Sequence, residues 1–164
     1  NGEGCGYVLP GTGIMLNNML GEEDLNVAGF GAWREGTRMS SMMAPTLALL
    51  ADGGVAALGS GGSNRIRTAI LQVLSNLIDF ERPVAEAVAA PRIHFENGLL
   101  NIESGHPADS DRAVAALVGD LCRQIMAWPE HNLFFGGVHA ATRSAGGEFA
   151  AGGDPRRGGA TEIV

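Results

Sequence analysis

Residues 46–67 read TLALLADGGVAALGSGGSNRIR: two short apolar runs, then glycine and serine, then an apolar restart between arginines. Asp52-Gly53 between the runs at 46–50 and 55–58 is a tight-turn signal, which predicts two antiparallel strands. Beyond the glycines, Ile66, Ile70, Val73, Leu74, Leu77 and Ile78 recur at helical spacing. A helix is expected from Asn64 to Phe80, closed by Pro83. Glycines at a strand-to-helix junction permit positive φ and let consecutive N–H groups converge on one small volume. The helix dipole adds to the attraction for an anion there. A phosphate loop of the P-loop kind ends in Gly-Lys-Ser/Thr. This one ends Ser63-Asn64-Arg65 in a chain without lysine, which excludes that nucleotide chemistry. Two readings remain: a plain turn capped by Ser63 or Asn64, or backbone donors for a developing oxyanion.

Outward from this junction the punctuation continues. A second short helix is expected over 84–89, ahead of Pro91. Arg92-Ile93-His94-Phe95 and Leu99-Leu100-Asn101-Ile102 flank Asn97-Gly98, the best hairpin turn in the chain. Asp109 or Ser110 can cap a helix running to Ala127, with Val114, Leu117, Val118, Leu121 and Ile125 inward. Residues 133–141 are apolar and strand-like, and Gly146-Gly147 turns them back into Glu148-Phe149-Ala150. Residues 1–44 are glycine-rich and poorly periodic, which reads as loops and short strands. Hairpins grouped between helices imply an α+β fold with helices on antiparallel sheet, not a doubly wound parallel one.

The 164 residues, 45% hydrophobic, suffice for the core of one domain spanning 1–164. A net charge of -7 and a sequence pI near 5.0 exclude nucleic acid as the main partner, since phosphate binding needs clustered cations. All 11 basic residues are arginine, a usage typical of GC-rich genomes. Cys5 and Cys122 lie far apart, which reads as two small buried apolar residues rather than a disulfide. His94, His106, His131 and His139 have no metal-ligand spacing, and no cofactor is expected. His139, in an apolar run, reads as a core group. Met19, Met39, Met42 and Met43 read as core or subunit-interface filling. Asp154-Pro155-Arg156-Arg157 reads as a turn with ion pairs. The opening at Asn1, without Met, reads as the interior of a longer polypeptide.

Six stretches in order carry more information than any one of them: GTGIMLNN (11–18), RMSSMMAPT (38–46), GSGGSNRI (59–66), NLIDF (76–80), APRIHF (90–95) and DPRRGG (154–159). Together they resemble the small, C-terminal subunit of the gamma-glutamyltransferase family of N-terminal-nucleophile hydrolases. The resemblance implies a four-layer αββα sandwich, of which this chain supplies a share of both sheets. It implies a self-cleaving precursor whose small subunit begins with a threonine that is nucleophile and, through its free amine, base. The acyl donor would be glutathione or another gamma-glutamyl amide, and the acceptor water, an amino acid or a peptide. The partner would be the large-subunit portion of the same precursor, with a homodimer as a further possibility.

The resemblance also assigns roles by position. The oxyanion hole falls on the backbone N–H groups of Gly61 and Gly62, or, matched without gaps from Arg65 backwards, of Gly62 and Ser63. The paired serines that take the substrate's α-carboxylate are Ser40 and Ser41, or Ser41 with Met42 in the second place. Where the family has Gln and Asp to hold the α-ammonium, this chain has Met19 and Glu22. Glu22 keeps the charge with a longer reach, whereas Met19 is a poor hydrogen-bonding partner for an ammonium. Asn1 lies one residue from the family's substrate-binding Asn. The family's Thr-Thr-His run belongs upstream of Gly11-Thr12-Gly13, and Thr12, Thr37, Thr46, Thr68, Thr142 and Thr161 are all internal. The chain by itself is therefore expected to be inactive. Two other functions fit the same residues: an amidase or acylase with a different acyl group, suggested by Met19, and a non-catalytic binding module on the same fold.

Overall fold

The computed structural model describes residues 4–106 and 121–163. The expected first hairpin forms between β3 (Thr46–Leu49) and β4 (Val55–Gly61), registered from Thr46↔Leu58 to Leu49↔Val55. At its turn Leu50 N donates to Gly54 O at 2.8 Å and Asp52 Oδ1 accepts from Gly54 N at 2.9 Å. β4 then pairs antiparallel with β8 (Gly137–Arg143), and β8 with β9 (Phe149–Gly152), in the order β3-β4-β8-β9. Ahead of this sheet, β1 (Val8–Leu9) and β2 (Ile14–Met15) make a small separate hairpin, followed by two short 3-10 turns at Met19–Gly21 and Glu23–Leu25.

One face of the four-stranded sheet is covered by α1 (Arg65–Ile78) and α2 (Val84–Ala89). Ile66, Ile70 and Val73 of α1 and Val84, Ala87 and Val88 of α2 meet Leu58, Val138 and Ala140 of the strands in one buried cluster. Each large apolar side chain there contributes about 1.5–3 kcal/mol. Leu74 and Leu77 pack at the cluster's edge, but Ile78, the last residue of α1 and expected inward, is 49% exposed. The opposite face carries Leu47, Leu49 (86% exposed), Ala57, His139 and Ala141 outward, so His139 is not the core group the sequence suggested. Strand alternation explains this: Val138 and Ala140 point to the helices and the residue between them cannot.

The second hairpin pairs β5 (Ile93–Glu96) with β6 (Leu99–Glu103). Asn97 (φ 52) and Gly98 (φ 82) both take positive φ, which is what a two-residue turn of this hand demands. Much of the expected helix ending at Ala127 falls on residues 107–120, outside the described residues. Its end is a strand instead: β7 (Gln124–Trp128) runs parallel to β6, from Leu99↔Gln124 to Glu103↔Trp128. The free edge of β6 outweighs local helix preference, and the pairing lets Ile125 pack on Leu100 and Ile102. Leu121, expected inward, is 72% exposed. Residues 133–135 form a 3-10 turn capped by Asn132 Oδ1, and the strand expected from residue 133 starts only at Gly137. Cys5 is exposed and Cys122 half-buried beside Leu100 and Ile102, so neither is the buried thiol that was expected.

Candidate active site

β4 and α1 are joined by three residues, of which the first two have positive φ. Gly62 has φ 128 and Ser63 φ 54, a left-handed value for a non-glycine residue, before Asn64 enters helical geometry. Arg65 N donates to Gly62 O at 3.2 Å and Ile66 N to Ser63 O at 3.0 Å, which turns the carbonyls toward the helix. Among the described residues no hydrogen bond takes up the N–H groups of Gly62, Ser63 or Asn64. Gly61 is the last ladder residue of β4, opposite Gly137. The junction is thus a cradle of backbone donors at a helix N-terminus, where negative charge is stabilised.

A second glycine pair, Gly136-Gly137, forms the cradle's wall, a role the sequence reading did not give it. A Cβ at Gly62 would stand 2.9 Å from Gly136 Cα, and one at Gly136 2.9 Å from Gly61 O. Ser60 Oγ stitches the two together, accepting from Gly137 N at 3.3 Å and donating to Gly61 O at 3.1 Å. Arg157 lies across the same place: its Nη2 would be 3.6 Å from a Cβ at Gly62, and a Cβ at Gly137 would overlap its Cδ. The signals available were a second glycine doublet and a second arginine, neither of which announces proximity to the first.

Of the residues assigned by sequence, Glu22 reaches the cradle: its Oε2 accepts from Ser63 Oγ at 3.1 Å, across 41 positions of sequence. Ser41 Oγ accepts from Met43 N at 3.0 Å, and the β3–β4 ladder stops at Thr46, short of both serines. Among the described residues no hydrogen bond joins Ser40 or Ser41 to Gly61, Gly62 or Ser63. Ser40 instead lines a cavity of about 390 Å³ with Asn26, Trp33, Arg34 and Thr37, in which Asn26 Oδ1 accepts from Trp33 Nε1 at 2.9 Å. Asn1 lies outside the described residues. Met19 opens a 3-10 turn (Met19–Gly21) that leads directly into Glu22. Met42 packs on the core, as expected of filling, whereas Met43 is exposed.

The expected ion pairs at Asp154-Pro155-Arg156 are present and buried. Asp154 Oδ2 accepts from Arg92 Nη2 at 2.7 Å and from Val138 N at 2.7 Å, while Oδ1 accepts from Arg156 N at 3.0 Å. Arg156 Nε donates to Glu103 Oε1 at 2.7 Å, and Arg92 Nη1 to Phe135 O at 3.3 Å. Two cations and two anions thus balance in a buried volume, and they grip the chain on either side of Gly136-Gly137 through Phe135 and Val138. Burial alone would raise the Asp154 carboxyl, but Arg92 and the backbone donors hold it below its ordinary value. Burial likewise opposes the charge on Arg156, yet Glu103 raises it; Arg92 is lowered by burial and by Arg156 beside it. Among the described residues no three His, Cys, Asp or Glu side chains converge as metal ligands.

The gamma-glutamyltranspeptidase family profile matches residues 1–164. The acylase ACY 1 proenzyme of Pseudomonas sp. (strain SE83) is 38% identical over 109 residues, 66% of this chain and 19% of that proenzyme. The glutathione hydrolase proenzyme of Pseudomonas aeruginosa is 36% identical over 104 residues, 57% of this chain and 18% of its own length. The matched stretch spans about a fifth of these curated relatives. Among solved structures, a mutant of Helicobacter pylori gamma-glutamyltranspeptidase superposes with TM-score 0.71 at 32% identity, over 93% of this chain and 87% of that one. The Bacillus anthracis transpeptidase CapD does so with TM-score 0.74 at 24% identity, over 100% and 87%, a likeness of fold. The helix-on-sheet arrangement seen here is accordingly a partial αββα sandwich. A match that runs from the first residue to the last leaves one assignment: this chain belongs to the gamma-glutamyltranspeptidase family.

Proposed function

We propose that the protein to which this chain belongs transfers or hydrolyses the gamma-glutamyl group of glutathione and related amides. The reaction runs through an acyl-enzyme on a threonine outside this chain, with water, an amino acid or a peptide as acceptor. The observation that carries the reading is the cradle: Gly62 and Ser63 present backbone N–H groups that no acceptor among the described residues takes up, at the start of α1. Such donors, fixed before the reaction, stabilise a carbonyl oxygen as it becomes an oxyanion. Gly61 sets their direction from the end of β4. Ser40 and Ser41 bind the donor's α-carboxylate and Glu22, already beside Ser63, its α-ammonium. The chain alone is inactive, since none of its threonines has a free amine.

The rest of the precursor covers the outward sheet face of Leu47, Leu49, Ala57 and Ala141, supplying the second sheet; a second copy of the chain is the other candidate for that surface. Met19 favours a second reading of the substrate, an acyl group without the α-amine, because a thioether is a poor partner for an ammonium. That the ACY 1 relative is named an acylase agrees with this reading. Full-length precursor assayed on gamma-glutamyl-4-nitroanilide and on glutaryl-4-nitroanilide, which differ only in that amine, separates the two. Turnover of either, with an acyl adduct on threonine, is expected. No turnover of both and no adduct would overturn acyl transfer and leave a binding module.

A further inference from the structure

Both polar side chains of the cradle are engaged by carboxylates from elsewhere in the fold. Ser63 Oγ donates to Glu22, and Asn64 Nδ2 donates to Glu96 Oε1 at 2.9 Å. Asn64 occupies the helix N-cap position, where Asn normally turns back to cap the first turn, yet it makes no cap bond. Its amide is committed instead to Glu96, the last residue of β5 before the Asn97-Gly98 turn. Glu96 is itself braced, because its Oε2 lies 3.5 Å from His94 Nε2. His94 is 3% exposed and its Nδ1 sits 2.9 Å from Thr68 Oγ1, one turn into α1. The edge of the Phe134 ring closes over the imidazole, and Arg65 stacks on that ring while donating to Phe134 O at 3.1 Å. Arg67, 4.0 Å from Glu96 Oε1, is 70% exposed and adds little.

Ser63 at φ 54 needs such support. A non-glycine residue in left-handed geometry is strained and persists only where its surroundings over-determine it. The N–H of Ser63 points where it does only while that φ is held. We propose that Glu96 is a positioning residue of the oxyanion cradle: anchored by His94, it fixes Asn64 and so holds Ser63 in the strained conformation that aims the backbone donors. Glu96 touches no reacting atom, and its effect passes through Asn64 and Ser63. The proposal rests on the acyl-transfer reading for its kinetic consequence but not for its structural one.

The test uses full-length precursor. Glu96→Ala is expected to lower kcat about tenfold with KM within twofold, and Glu96→Gln, which can still accept from Asn64, to recover most of it. In a Ser63→Gly background, where positive φ carries no side-chain penalty, Glu96→Ala should cost under twofold. An Asn64→Ala, Glu96→Ala double variant should be no slower than either single one. Hydrogen-exchange mass spectrometry on the same proteins reads the cradle without turnover. The Arg65 and Ile66 amides, which bond Gly62 and Ser63, should exchange at least fivefold faster in Glu96→Ala and at the parent rate in Glu96→Gln. An inactive parent with this exchange pattern would refute acyl transfer and keep the positioning role. A folded Glu96→Ala with parental kcat and parental exchange, or an equal loss in the Ser63→Gly background, would overturn it.

Discussion

Replacing Gly136 by Ala tests whether the cradle's wall is as tight as its geometry says. The new Cβ would stand 2.9 Å from Gly61 O, 3.0 Å from Ser60 Oγ and 3.3 Å from Ala69 Cβ, all closer than ordinary van der Waals contact. Gly61 O is backbone at the mouth of the cradle, so about half an ångström of clearance must come from moving cradle or wall apart. Gly136 also sits at φ 80. With ψ -165 this is a region reserved almost wholly for glycine, which costs an L-residue about 1–3 kcal/mol, and overpacking costs about 1–3 kcal/mol, together about 2–6 kcal/mol of stability. A 1 Å misplacement costs about a hundredfold in rate, so half of that predicts a fall in kcat of about tenfold, with KM little changed. Stability would be read from urea unfolding by tryptophan fluorescence and rate from anilide release by the full-length precursor. Gly36→Ala is the matched control: Gly36 has φ 72 but no atom within 4 Å of its Cβ position. It should lose about 1 kcal/mol of stability and no kcat. A folded Gly136→Ala protein with the parent's kcat would refute the claim that Gly136 sets the position of the donors.

Asp154→Asn leaves Arg92 and Arg156 facing Glu103 alone, an uncompensated buried cation, and should cost about 3–5 kcal/mol of unfolding free energy, read from urea unfolding. Because the Asp154 carboxyl is held below its ordinary value, its stabilisation is complete above about pH 4 and is lost as pH falls further; the variant should lack that acid-side loss. His94 is lowered by burial, partly opposed by Glu96, so the folded state resists protonation. Stability should therefore decline as pH falls below about 6.5, and His94→Gln should flatten the profile between pH 7 and 5. Met19→Gln supplies a hydrogen-bonding side chain at the position proposed to face the donor's α-ammonium. It should raise kcat/KM for the gamma-glutamyl anilide over the glutaryl anilide by about tenfold, the scale of one added hydrogen bond to a charged group; an unchanged ratio would remove Met19 from the specificity argument.

Local chemistry made the strands and helices around the cradle legible. Asp52-Gly53 and Asn97-Gly98 sit between alternating apolar runs, and α1 keeps one apolar stripe, so turn and period agree there. Residues 124–128 were misread because a strand that completes another strand's edge is specified by that edge, and Ile125 looks the same on a helix or a strand. His139 was misread for a related reason: in an apolar run only the phase of alternation, set by Val138 and Ala140, decides which side chain faces out. The cradle's donors were visible as glycines. Its wall was not, since Gly136 meets Gly62 through tertiary approach across 74 positions. Nor does any local pattern distinguish Arg156, buried against Glu103, from Arg157, which lies over the glycines.

That approach makes the cradle a two-part object. The sequence GSGGS carries the donors, but its geometry is completed by a glycine contributed from the turn that leads into β8, and the Cα of Gly136 occupies the room a side chain on Gly62 would need. Moved alone into a different strand–helix junction, the five residues would carry their flexibility and not their shape. Anyone wishing to rebuild this cradle of backbone donors elsewhere would have to transplant both glycine doublets and the spacing between β4 and β8 as one piece.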